Sequence, residues 1–272
     1  MSNELYDQLY AAIGIPDRAR ALAKGTVSIP LLGYSAPYAD YGFPPALLPL
    51  CSEASGPLLF GYWRHWFVDR ACCIVRASVE EGYRVNEIAR NFDQFVRVIA
   101  LEKIVADDGV EADLEEFARR VSITDLEELD SISIKGGDDP TTLLQHPLFG
   151  TDAPLRSCSG TGYKGDFPDP AVEGRNSPIF CGLEIPTDLH ERLRRRASVW
   201  PWIRAVDQRP IFDGCLNARD FAGAWMSLNS PGWRFEDAKD ALQDLASAAG
   251  DPNLQLLARA WCSEPHEIAE SY

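Results

Sequence analysis

The sequence predicts an α+β protein: a mixed N-terminal domain with a small antiparallel sheet and flanking helices, followed by an all-helical C-terminal unit. Three observations predict it. The aromatic run Leu58-Leu-Phe-Gly-Tyr-Trp-Arg-His-Trp-Phe67 and the run Ala71-Cys-Cys-Ile-Val-Arg76 read as two strands joined by a turn around Val68-Asp-Arg70. Glycine and proline crowd residues 135–180. Beyond residue 186, apolar residues recur at helical spacing. The expected division is 1–135 for the mixed domain, 136–185 for a Gly/Pro-rich connector and 186–272 for the helical unit.

The first 25 residues read as a helix through Leu5, Leu9, Ala12 and Ile13, interrupted by Pro16. Residues 26–57 carry Pro30, Pro37, Pro44, Pro45, Pro49 and Pro57, a density that excludes a long regular element. After the two strands, Glu87, Ile88, Phe92, Phe95, Val96, Ile99 and Ile104 predict a helix ending near Asp107-Asp-Gly109. A second helix is expected over Glu111–Val121, with Leu114, Phe117 and Val121 on one face. Past the connector, helices start at Pro186-Thr-Asp188, at Phe221 after Asn217-Ala-Arg-Asp220, after Arg234-Phe-Glu-Asp237, and over Leu254–Trp261, with Gly250 as a stop.

Of the 272 residues, 46% are hydrophobic and 25% charged, which is the composition of a globular protein. The net charge of −15 argues against nucleic acid and against an anionic membrane surface, both of which need a basic footprint. It favours a basic partner, or solubility alone. No run approaches the ~18 apolar residues of a membrane-spanning helix. The acidic N-terminus, Met1-Ser-Asn-Glu-Leu-Tyr-Asp, does not resemble a signal peptide. The seven cysteines are odd in number, irregularly spaced and partly set in apolar runs, as free thiols are in a reducing compartment. A cytoplasmic location is expected.

Chemistry is hard to find. His65, His146, His190 and His266 are scattered, with no metal-ligand neighbour at i+4, and no C-x-x-C pair exists. His65, inside the aromatic run, reads as structural. Gly160-Thr-Gly162-Tyr-Lys-Gly165 spells G-x-G-x-x-G, but Asp166-Phe-Pro-Asp-Pro170 follows, and prolines forbid the helix that a pyrophosphate needs. Arg192, Arg194, Arg195 and Arg196 precede Trp200-Pro-Trp202; in so acidic a chain they read as a helix face paired with its own carboxylates. No catalytic residue, cofactor or metal is expected.

The segment 107–139 holds twelve acids against Arg119, Arg120 and Lys135. Its expected partner-binding residues are Asp107, Asp108, Glu111, Asp113, Glu115, Glu116, Glu127, Glu128 and Asp130, since carboxylates held on a scaffold steer a basic partner. The bland reading is a solvated face. A different interface would be the aromatic loop at Tyr34, Tyr38, Tyr41 and Phe43.

Pro49-Leu-Cys-Ser-Glu-Ala-Ser-Gly-Pro57, Phe60-Gly-Tyr-Trp-Arg-His-Trp-Phe67 and Glu87-Ile-Ala-Arg-Asn-Phe-Asp-Gln-Phe95 resemble the SUKH superfamily over residues 1–120. That group includes a yeast cell-wall-synthesis regulator and many bacterial immunity proteins. Asn91-Phe-Asp-Gln-Phe95 matches its phenylalanine-centred helix start, whereas an early W-x-x-I-E element is missing and the helical C-terminal third has no counterpart. The resemblance implies a non-catalytic α+β immunity protein that occludes the active site or substrate cleft of a cognate polymorphic bacterial toxin; the acidity of the chain points to a basic one. The rival readings are a regulatory adaptor, or an enzyme whose site is assembled from scattered residues.

Overall fold

The computed structural model describes residues 3–37, 40–54, 57–136, 181–196, 199–266 and 270–272. Most of the expected connector, with its G-x-G-x-x-G letters, lies outside them, as do Tyr38, His146 and Cys158. The described chain is α+β, with one five-stranded antiparallel sheet and eleven α-helices.

Two helices stand where the N-terminal periodicity predicted one: α1 (Asn3–Ala12) and α2 (Asp17–Ala23). Pro16 separates them, extended at φ −58°, ψ 145°, because proline removes a helical donor and clashes with the preceding turn. The sheet follows, with β1 (Tyr34–Ser35), β2 (Leu47–Glu53), β3 (Leu58–Trp63), β4 (Cys73–Ser78) and β5 (Arg84–Ala89) in the order of the chain.

Two strands differ from expectation. β2 forms despite Pro49, because the register shifts between Pro49 and Cys51 and the bulge absorbs the missing N–H. The partner strand provides Gly61 opposite Pro49, where a Cβ would lie 2.3 Å from the Leu48 carbonyl oxygen. β5 occupies Glu87 and Ile88, which helical spacing had assigned to the next helix. Its burial alternates, with Val85, Glu87 and Ala89 inward. Helix α3 (Phe92–Asp107) starts only after Asn91, which is extended and accepts a hydrogen bond from the Gln94 amide. The β3–β4 connection is also longer than the expected turn, because His65–Phe67 leaves the sheet and Trp66 and Phe67 pack against Trp225.

Both sheet faces are covered. Phe60 points to α3, with its ring 6.3 Å from Phe95. Trp63, an odd number of residues on, points to the opposite face and meets Glu184 from the C-terminal part. α4 (Ala112–Val121) and α5 (Leu126–Gly136) pack beside α3.

After residue 180 come a 3-10 turn at Gly182–Glu184 and helices α6 (Thr187–Arg194), α7 (Pro201–Arg204), α8 (Arg209–Asn217), α9 (Phe221–Leu228), α10 (Phe235–Ala249) and α11 (Pro252–Cys262). α7 and α8 were not anticipated. Asp220 caps α9, left-handed Gly250 closes α10, and Asp251 caps α11 ahead of Pro252. These helices share one hydrophobic core with the sheet. α11 packs on α1. The Trp261 indole donates to the Phe43 carbonyl at 2.8 Å, and the Ala46 amide donates to Asn229 Oδ1 at 2.8 Å.

Candidate functional site

The acidic segment folds as two helices and their approaches. Asp107 ends α3, and Asp108 follows in the left-handed region at φ 58°. Glu111 sits at the N-cap of α4, and Ser122 closes that helix at φ 65°. Leu114, Phe117, Ala118 and Val121 are buried, whereas Glu111, Asp113, Glu115 and Glu116 are exposed. The expected phasing is therefore present: an apolar stripe faces the core and carboxylates face outward. Glu127 and Glu128 lie exposed on α5 and Asp130 is half-buried there.

Not all of this charge is free. Lys103 reaches across from α3 and binds both Asp107, at 2.7 Å, and Asp113, at 2.9 Å. The Lys103 hydrogen bond holds the Asp113 carboxyl below the usual carboxylate range. Glu116 binds Arg119 and Arg120, which lower its pKa in the same way. Asp125, in the α4–α5 connection, binds Arg97 at 3.0 Å. Among the described residues, Asp108, Glu111, Glu115, Glu127 and Asp130 make no ion pair. The local charge excess read from the sequence is thus reduced but not cancelled.

Beside α4 lies a cleft of about 230 Å³, lined by Thr26, Val27, Ser28 and Pro30 on one wall and Asp113, Glu116, Phe117 and Arg120 on the other. Residues 26–30 follow α2 and run along α4. No spacing rule joins them to α4 in the sequence, so this wall was missed.

The aromatic loop divides. Phe43 is fully buried against Tyr6 and His266, so it belongs to the core and is no surface contact. Its burial follows from the α1 and α11 packing that covers it. Tyr34 is half-buried and stacks on Phe60 at 5.4 Å. Tyr41 is half-buried, and its carbonyl accepts from the Tyr83 hydroxyl.

His65 does have a structural partner. Its Nε2 lies 3.0 Å from Glu184 Oε1, which also meets Arg70 at 2.6 Å and the Trp63 indole at 3.1 Å. The Cys181 amide donates to Glu184 Oε2 at 2.8 Å. Burial pushes the Glu184 carboxyl up, but Arg70, His65 and that amide outweigh it and hold the pKa at about 2. The group is a carboxylate that ties the chain after residue 180 to β3.

Among the described residues, the thiols are shifted away from reactivity. Burial pushes Cys72 up to about 12 and Cys215 to about 11, and it raises Cys51, Cys73, Cys181 and Cys262 as well. A nucleophilic cysteine requires the opposite shift. On α6, Arg192 pairs with Asp188 and Arg194 with Glu191, in line with a helix face that neutralises itself. No group of three or more potential metal ligands occurs among the described residues, and no described helix is long and apolar enough to cross a membrane.

The fold and site together define an α+β scaffold with a carboxylate-bearing helix beside a small cleft. No protein-family model, no curated protein and no solved structure matches the chain.

Proposed function

We propose that this chain is a non-catalytic binding protein, an immunity protein that neutralises a basic protein toxin by occluding its active site. The observation that carries the reading is α4: its carboxylates project from a helix whose other face is locked into the core. Fixed charges on a rigid element speed encounter with an oppositely charged partner at low ordering cost. The resemblance of residues 1–120 to the SUKH superfamily supports the same reading, as does the net charge of −15. Raised thiol pKa values and a buried, fully engaged Glu184 leave these groups to structure.

The test is functional. Tagged protein is used to capture its partner from the native cell, and the partner is expressed with and without this chain. The reading expects a basic protein whose expression arrests growth and whose arrest is relieved by co-expression. An acidic partner, or one whose activity this chain leaves intact, overturns the reading in favour of an adaptor.

A further inference from the structure

We infer that residues 270–272 are a removable strap: they fill, as a built-in ligand, a slot between residues 228–235 and Tyr83 whose chemistry selects a short extended peptide carrying a tyrosine. None of these residues belongs to α4, so the slot is independent of the acidic-face reading.

The main chain of the slot receives extended backbone. The Phe235 amide donates to the Glu270 carbonyl at 2.9 Å, and Arg234 and Ser271 pair as an antiparallel bridge. The Tyr272 amide donates to the Trp233 carbonyl at 3.0 Å, and the Tyr272 carbonyl accepts from the Gly232 and Trp233 amides at 2.8 and 3.2 Å. Pairing of this kind holds an extended segment whatever its side chains, and pockets for single side chains then give the choice. Gly232 is required where it stands. At φ 113°, a Cβ there would lie 2.6 Å from the Val206 carbonyl oxygen, so only glycine brings that amide to the slot.

The choice falls on residue 272. Glu270 and Ser271 are exposed, whereas Tyr272 is 5% exposed. Its ring lies 5.1 Å from that of Phe235 and 6.1 Å from that of Tyr83. Its hydroxyl donates to the Leu228 carbonyl at 2.6 Å. Leu228 is the buried last residue of α9, and a carbonyl at that position has no partner within its own helix. Phenylalanine would fill the ring space and leave this oxygen unsatisfied, and an acidic side chain would be desolvated against it. Tyrosine meets both demands.

The strap also fastens the fold. Tyr83 stands in the β4–β5 connection, left-handed at φ 60°, with its ring 5.9 Å from Phe235 and its hydroxyl on the Tyr41 carbonyl. A residue other than glycine keeps that backbone only where its surroundings hold it. Tyr272 supplies part of the hold and so links the sheet to the start of α10. One side chain of the three enters the core, so withdrawing the strap uncovers a single ring and no helix face.

The test uses the full chain carrying Glu270→Gly, Ser271→Gly and Tyr272→Gly together, with blocked tripeptides as probes: acetyl-Glu-Ser-Tyr-amide, acetyl-Glu-Ser-Phe-amide and acetyl-Glu-Ser-Ala-amide. In the variant, the Gly232, Trp233 and Phe235 amides should exchange hydrogen at least about tenfold faster than in wild type, while Leu242 and Leu245 inside α10 stay protected. The tyrosine peptide should restore protection and shift the Tyr83 amide resonance saturably at about millimolar concentration, which is what a short tether supplies in the intact chain. The phenylalanine peptide should bind about tenfold more weakly, the cost of the unsatisfied carbonyl, and the alanine peptide should not saturate. If the variant does not fold unaided, the tyrosine peptide should restore folding in a dose-dependent way and the alanine peptide should not. Wild-type exchange at Gly232, Trp233 and Phe235 in the variant overturns the inference. So does a tyrosine peptide that neither binds nor restores folding, or an equal response to all three peptides.

Discussion

Glu102 shows what a single residue contributes to the pH response. It lies on α3, and burial pushes its carboxyl up to about 7, with the Arg76 charge pulling the other way. In the unfolded chain the group titrates near 4.5. Below that pH the carboxyl is neutral in both states and carries no penalty. Between 4.5 and 7 the folded state retains a proton that the unfolded state has lost, so stability falls as pH rises, and the cost levels off above about 7. Glu102→Gln should therefore stabilise the protein at pH 8 by on the order of 1–3 kcal/mol and change little at pH 4. Equal melting shifts at both pH values would contradict this. His190 and His266 act in the opposite sense. Burial lowers both to about 4, so their contribution is intact above the unfolded value of 6.5 and is lost as pH falls through 4. Glu184→Gln removes the buried carboxylate that Arg70, His65 and the Trp63 indole share; a loss of about 3–5 kcal/mol is expected in denaturant titrations. A loss within about 0.5 kcal/mol would show that the network relaxes freely. His65 was legible as structural from its aromatic setting. Glu184, 119 positions away, was not, because only the fold brings it to β3.

Elements were legible where one local rule governed them. α4 follows from the spacing of Leu114, Phe117 and Val121, and α10 from its periodicity and left-handed Gly250. The phasing has a direct consequence. Leu114→Ala should cost about 2–5 kcal/mol, whereas Glu115→Ala on the opposite face should stay within about 0.5 kcal/mol. Comparable losses from the two would refute the assigned faces. Two strands were illegible because a second rule intervened. Pro49 argues against a strand unless a bulge receives it, and that bulge depends on Gly61 in β3. Glu87 and Ile88 fit the helical spacing of α3, but Asn91, whose side chain takes the Gln94 amide, sets the true start at Phe92, five residues after Glu87. α7 is a single turn, and both α7 and α8 carry proline in their first turn, where it reads in the sequence as a break although it suits a helix start.

At the scale of the molecule, the α+β class was legible because the aromatic strands and the helical C-terminal pattern occupy different parts of the sequence. The common core was not, since it depends on contacts such as Trp261 with Phe43 and Asn229 with Ala46 across long separations. Residues 1–136 and 181–272, expressed as two chains in one cell, should therefore co-purify as a folded pair; a folded, monomeric 1–136 fragment on its own would contradict the common core. The acidic face was legible as charge and as helical phasing but not in its pairing across elements: Lys103 and Arg97 of α3 neutralise part of it, and residues 26–30 form the far wall of the cleft beside it.

Contact between the α4 carboxylates and a basic partner shows itself in the association rate of the captured partner across salt concentrations. Wild type is compared with the Glu111→Ala, Glu115→Ala, Glu116→Ala triple variant. The variant should associate more slowly at low salt and with a flatter salt dependence, the two proteins converging as salt screens the exposed charges. Coincident rates and slopes at every salt concentration would contradict it and leave α4 as a solvated face.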